Sequence, residues 1–319
     1  MPEGHSLHRL SRQFDDAFGN QIVSVTSPQG RFATDARRLD GRRLETAWAK
    51  GKQLFIQFDN ELFLRVHLGL YGAVDFGGDE HFRGASSIGA PRRIGERELT
   101  QDAAQPYSGP PEPVGQVRAR FVSEHGWADL RGPSACEVLD WDQVQQQLQK
   151  LGPDPLVGAG LRFAQSKGRD LDLDPLKELE RGYAEFRRNL SRTKTPIGIV
   201  LMNQALISGV GNIYRAEALF RAKVDPQLAA NEVSTQAAKK MWWDLVELME
   251  DGVREGKIIT TREADRDPFG PVWPDNAYYV YQRQGLKCRR CSAQVALAEV
   301  AGRKLYWCGR CQRPPRKRS

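Results

Sequence analysis

The chain has 319 residues, 40% of them hydrophobic, and 47 basic against 40 acidic side chains give a formal net charge of +7. This is the composition of an ordinary globular protein, long enough for two sizeable domains and a small appendage. No apolar run approaches the roughly 20 residues that span a bilayer, and the amino terminus lacks the basic, apolar and cleavage segments of a secretory signal. A membrane partner is therefore not expected. A cytoplasmic, reducing location is expected, nucleoid-associated in a bacterium, and the positive balance favours a polyanionic partner. Nothing in the chain requires more than a monomer.

In chain order, Leu7, Leu10, Phe14 and Phe18 fall on one helical face and Gly19-Asn20 is a fitting stop, so a first helix starts within a few residues of the amino terminus. Short runs rich in strand formers follow at 53–58, 62–68, 71–76, 116–122 and 127–130. Strands joined by tight turns predict an antiparallel β-sandwich over residues 1–135. Residues 77–115 are rich in Gly, Pro and charge without apolar period, and predict an exposed, mobile loop. Residues 136–284 change character. Asp140-Trp-Asp-Gln143 resembles a capping box, and further helix starts fall at Asp174-Pro175, Thr195-Pro196 and Ser234. Within this half, Ser208-Gly-Val-Gly-Asn212 is a glycine-rich turn that opens a helix. Such a turn can hold phosphate on backbone N–H groups, or simply join two helices. A second irregular stretch runs from about 256 to 284.

Residues 285–319 carry the strongest signal. Cys288/Cys291 and Cys308/Cys311 are two Cys-x-x-Cys pairs with sixteen residues between them, the spacing of a four-thiolate zinc site. Residues 294–300 and 303–307 are strand-like and split by Ala301-Gly302, so Zn²⁺ would staple a hairpin too small for its own core. Lys287, Arg289, Arg290, Arg303, Lys304, Arg310, Arg313 and the tail Arg316-Lys317-Arg318 surround the pairs and suggest a finger pressed against phosphate. A purely structural zinc ribbon or a pair of disulfides are the alternatives. The lone Cys136 reads as a small buried hydrophobe.

The amino terminus is a candidate reagent. After Met1 a small second residue, Pro2, is one that favours removal of the initiator, exposing a secondary amine with a larger unprotonated fraction near neutral pH than lysine. Such an amine attacks a sugar C1′ to give an iminium, which acidifies the C2′ hydrogens and promotes loss of the 3′ phosphate. Glu3 adds a carboxyl that can relay protons once buried.

Together, Pro2-Glu3, the glycine-rich turn and the basic four-cysteine finger resemble the formamidopyrimidine-DNA glycosylase/endonuclease VIII family of DNA repair enzymes, over nearly the whole chain. The resemblance implies an α+β fold: an amino-terminal β-sandwich, a helix-two-turns-helix domain and a carboxy-terminal zinc-finger hairpin, with damaged DNA as partner and structural zinc. It implies Pro2 as nucleophile, Glu3 as catalytic acid and Lys52, in Lys50-Gly-Lys-Gln-Leu-Phe, beside the damaged nucleotide's phosphate. His67 and Asn212 match further phosphate contacts, and Arg303 the finger's arginine. Leu70 and Tyr71 stand where relatives carry residues that fill the gap left by an extruded base. Read without the family, Lys52 is a solvated strand-end cation, His67 a core histidine, and Leu70 and Tyr71 strand packing. The run Gly4-His5-Ser6 looks more like the endonuclease VIII branch, which leans the substrate to oxidised pyrimidines. No Arg-Arg-Phe-Gly motif follows the late sandwich strand; Ala128-Asp-Leu-Arg-Gly-Pro133 stands there, with Arg131 as a candidate reader of the orphaned base. The implied activity is a bifunctional glycosylase and abasic-site lyase with β- and δ-elimination. A glycosylase for oxidised purines, a non-catalytic zinc-finger DNA-binding protein and a dithiol oxidoreductase are the competing readings.

Overall fold

The apolar stripe at the amino terminus folds as α1 (Gly4–Phe18), and Leu7, Leu10, Phe14 and Phe18 are each no more than 1% exposed. The structure is a computed structural model that describes residues 2–90, 109–169 and 171–313. The Gly19 N–H closes the helix on the Asp15 carbonyl at 3.0 Å, and Asn20 turns the chain with a positive φ of 62°.

Antiparallel strands enclose the helix: β1 (Gln21–Thr26), β2 (Arg42–Lys50), β3 (Gln53–Phe58), β4 (Phe63–His67), β5 (Ala73–Gly78), β6 (Ser87–Gly89), β7 (Val117–Val122), β8 (Gly126–Arg131) and β9 (Ala135–Leu139). They run in the order β6-β5-β8-β7-β1-β2-β3-β4-β9, and a short α2 (Ala33–Leu39) links β1 to β2. The two layers share β1, whose residues Gln21–Val23 pair with β2 while Ser24–Thr26 pair with β7. Phe14 sits at the centre, its ring 5.3 Å from Phe76 on β5 and 5.3 Å from Phe121 on β7. A capping box starts α3 (Trp141–Gln149): Gln143 N–H donates to Asp140 Oδ1 at 2.8 Å and Asp140 N–H to Gln143 Oε1 at 3.0 Å.

The expected boundary near 135 falls inside this first compact unit, which runs over residues 1–149, because β9 completes the sheet by pairing with β4 at His67↔Ala135. The expected loop over 77–115 also needs correction. Its first residues end β5, and β6 pairs with β5; Gln13 Nε2–H donates to the Ala85 carbonyl at 2.9 Å while Ala85 N–H returns to Gln13 Oε1 at 3.0 Å. Residues 91–108 lie outside the described residues.

The second unit, residues 150–319, holds α4 (Val157–Ser166), α5 (Pro175–Ser191), α6 (Ile197–Val200), α7 (Asn212–Arg221) and α8 (Thr235–Glu255), then the hairpin β10 (Ala296–Val300) and β11 (Arg303–Trp307). The expected starts of α5 and α8 are capped by Asp174, which accepts from Leu176 and Lys177 N–H, and by Ser234, which accepts from Ala237 N–H. The start at Thr195-Pro196 is one residue early, since Pro196 is the cap of α6. Trp242 is fully buried, stacked on Phe186 at 5.8 Å, and a Cβ on Gly182 would lie 2.7 Å from its ring. Among the described residues no helix is long and apolar enough to cross a membrane.

Because Phe14 is fully buried and packs α1 against β5 and β7, Phe14→Ala is expected to lower the unfolding free energy by about 3–5 kcal/mol, read from urea denaturation.

Candidate functional site

Pro2 and Glu3 are buried at the entrance to α1, with Glu3, 0% exposed, as the N-cap residue in extended backbone. Ser6 N–H donates to the Glu3 carbonyl at 2.9 Å and starts the helix. The helix cannot slide: Asp15, buried on its far end, accepts from Thr46 Oγ1 and Ala47 N–H on β2, both at 3.0 Å. His5 follows. Burial above all, then the amino-terminal charge and Arg9, push its pKa down to about 3, so the imidazole beside the terminus is neutral.

Lys52 and His67 come together at one end of the sheet. Lys52 lies in the turn between β2 and β3, and the β3/β4 register Leu54↔Val66 places it beside the end of β4, where His67 stands. Burial, then the Lys52 charge, then Arg65 hold the His67 pKa below 6.5. Its Nδ1 takes the Gly69 N–H at 3.1 Å and lies 2.7 Å from Ser134 Oγ. An amide nitrogen can only donate, so this network assigns the lone pair to Nδ1 and the proton to Nε2. The neutral ring thus presents a single N–H donor. Gly69 is required there: its φ is +66°, and a Cβ would lie 2.9 Å from Ser134 Cβ.

The turn after His67 lifts two large apolar side chains into solvent, Leu70 at 46% and Tyr71 at 79% exposure. The expected strand at 71–76 starts two residues late, at Ala73, so strand packing does not account for either residue. Arg131, the candidate reader of an orphaned base, is held in a bidentate pair by Asp75, with Nε–H to Oδ2 at 2.6 Å and Nη2–H to Oδ1 at 3.2 Å. Cys136, expected to be buried, is half-buried against the sandwich core, its thiol pushed up to about 12 by burial.

In the second unit, Asn212 is the first residue of α7, after a turn in which Gly209 has φ +83°. Its Oδ1 accepts from Arg215, which orients the amide Nδ2–H₂ away from that guanidinium. Arg303 is exposed at the tip of the β10–β11 hairpin, paired across the strands with Val300, where Ala301 and Gly302 both have positive φ. The four cysteine sulfurs lie within 4.8 Å of one another, with Cys288 to Cys311 at 3.9 Å and Cys291 to Cys308 at 3.4 Å, and none is in a disulfide. Tetrahedral thiolates at about 2.3 Å from a metal sit about 3.8 Å apart, so the set fits Zn²⁺. Burial pushes the Cys288 thiol up, and a bound cation is what would hold such thiols ionised.

Two members of the basic halo serve the fold. Arg289 donates to the carbonyls of Tyr278 and Asp275 and to Asn276 Oδ1, and Arg290 pairs with Asp265 at 3.1 Å above the Tyr279 ring. The tail Arg316-Lys317-Arg318 lies outside the described residues. Sequence reasoning missed three buried ionisable residues on α7, Arg215, Glu217 and Arg221. Glu217, 0% exposed, accepts the N–H groups of Tyr279, Val280 and Tyr281, each at 2.8 Å, and the Thr260 hydroxyl at 2.5 Å. Arg215 reaches the hairpin.

Family models match most of the chain: the formamidopyrimidine-DNA glycosylase N-terminal domain over residues 1–131, the H2TH domain of the same enzymes over 171–264, and the zinc finger found in FPG and IleRS over 285–314. The chain is 38% identical to Endonuclease 8 1 of Mycobacterium tuberculosis over 98% of its own length and 100% of that protein's. It is 27% identical to the formamidopyrimidine-DNA glycosylase of Thermus thermophilus over 98% and 97%. Among solved structures, Lactococcus lactis Fpg in complex with DNA containing an abasic site shares the fold, with a TM-score of 0.67 at 20% identity, covering 98% of this chain and 100% of that one.

His67 is expected to titrate below 6.5 in the folded protein by NMR, and Lys52→Met to raise that pKa while leaving it below 6.5, since burial is the larger cause. The sign for stability follows. Between the depressed folded pKa and about 6.5 the unfolded chain binds the proton first, so stability held above pH 6.5 is lost as pH falls through that window.

Proposed function

Because the chain belongs to the formamidopyrimidine-DNA glycosylase/endonuclease VIII family of DNA repair glycosylases, we propose that it excises oxidised bases, pyrimidines foremost, and cleaves the strand through the amine of Pro2. Once Met1 is removed, the Pro2 nitrogen attacks C1′ of the damaged nucleotide as the bond from C1′ to the base breaks. The sugar ring then opens as the C1′–O4′ bond breaks and O4′ takes a proton, and the resulting iminium acidifies the C2′ hydrogens. Proton loss at C2′ expels the 3′ phosphate by β-elimination, and a second elimination expels the 5′ phosphate. Glu3 supplies and recovers protons at the sugar. Lys52 and the neutral Nε2–H of His67 hold the phosphate, while Leu70 and Tyr71 occupy the gap left by the extruded nucleotide. Asn212 and Arg303 take further phosphates. The observation that carries this reading is the burial of Pro2-Glu3 as the cap of a helix locked in the core.

The preference for pyrimidines is supported by the similarity to a protein named Endonuclease 8 1 and by Gly4-His5-Ser6 after the Pro-Glu pair. We infer structural Zn²⁺ on Cys288, Cys291, Cys308 and Cys311; when bound it supplies a cross-link, and the chain's own residues perform the chemistry.

Borohydride is expected to trap a covalent complex with abasic-site DNA, and a single residue added ahead of Pro2 to abolish it. Trapping that survives the added residue would place the nucleophile elsewhere, and a lesion panel without strand cleavage would leave a non-catalytic DNA-binding protein. Elemental analysis is expected to find about one zinc per chain, lost in Cys308→Ser together with hydrogen-exchange protection of residues 296–307.

A further inference from the structure

Arg215 is 1% exposed in the middle of α7, an unusual place for a permanently charged side chain. Its guanidinium touches three separate pieces of the second unit. Nη2–H groups donate to Asn212 Oδ1 and to the Lys304 carbonyl on β11 at 2.8 Å, and Nη1–H donates to the Gly198 carbonyl on α6 at 3.2 Å. Lys304 is the neighbour of Arg303, so one planar fork spans from the first residue of α7 to the tip strand of the hairpin. Its rigid donors fix directions that a lysine ammonium would leave free. The same charge lies beneath the amino-terminal end of α7, where the helix dipole already favours an anion.

We propose that Arg215 is a positioning residue for DNA binding, setting the Asn212 amide and the Arg303 hairpin in one fixed relation so that both meet the phosphate backbone together. This rests on the assignment of Asn212 and Arg303 as phosphate contacts. By taking Asn212 Oδ1, Arg215 leaves the two Nδ2–H donors as the outward face of that amide. By holding the Lys304 carbonyl, it places the strand that carries Arg303.

The test uses the full-length, zinc-loaded protein and a duplex with a stable tetrahydrofuran abasic analogue, with affinity measured by fluorescence anisotropy across a salt series. Asn212→Ala removes a neutral donor and is expected to weaken binding several-fold with the slope of log affinity against log salt little changed, whereas Arg303→Ala is expected to reduce that slope by about 1. Arg215→Met is expected to weaken binding about tenfold or more and reduce the slope by about 1 to 2, with zinc content retained. Asn212→Ala added to Arg215→Met then has little further effect, as coupled residues require. Arg215→Lys keeps the charge but not the fork, and loses the same slope, which serves should the methionine variant not fold. A merely structural Arg215 gives a lower melting temperature with the slope unchanged and the two substitutions fully additive, which overturns the proposal. An Asn212→Ala protein that binds as tightly as the parent, with additive behaviour, overturns the phosphate assignment and the proposal together.

Discussion

The burial of α1 is the constraint on which the proposed amino-terminal chemistry depends. Chain ends ordinarily fray, and a nucleophile at a frayed end would lose most of the advantage of being held in place. Here the segment immediately after the end is the centre of a hydrophobic core, with Phe14 packed against β5 and β7 and Asp15 tied to β2. Polar residues on the same helix are bonded inward too, Gln13 to the chain before β6 among them. Pro2 and Glu3 thus inherit the rigidity of the sandwich, although neither makes the packing.

The second unit solves a comparable problem with charge. Its hairpin has few apolar residues of its own, and α7 supplies what it lacks from buried polar side chains. Glu217 satisfies three successive backbone donors on the way into the hairpin, and Arg215 satisfies a carbonyl within it. Each such group would be costly if left alone, and is stable because several partners converge on it. The four cysteines therefore sit on a base already fixed by hydrogen bonds, with Gln312 adding a bond from its amide to the Val224 carbonyl.

What was legible in the sequence was what local chemistry dictates. The stripe in α1, the caps Asp140, Asp174 and Ser234, the Ala301-Gly302 turn and the cysteine spacing each announce themselves within a few residues. Elements closed by distant partners did not. Gln21-Ile-Val-Ser-Val-Thr26 alternates as a strand should, yet its role in crossing between layers comes from β2 and β7. β2 hides among Arg and Glu, and β9 is defined by a strand about seventy residues earlier. Charged residues were the least readable. Arg289, Arg290 and Arg131 looked like DNA-facing cations and are committed to internal partners, whereas nothing local marked Arg215 and Glu217, which are among the most buried groups in the unit.

Leu70 and Tyr71 have a last implication. A tight turn presents both to water before any encounter, so the pair is already shaped when a duplex arrives. Well-stacked base steps resist insertion and weakened ones yield, because the deformability of DNA varies from step to step. On the proposed reading, a rigid pair of this kind samples the mechanical softness of each step, and sorting of flawed from sound sequence starts before any atom of the lesion is recognised.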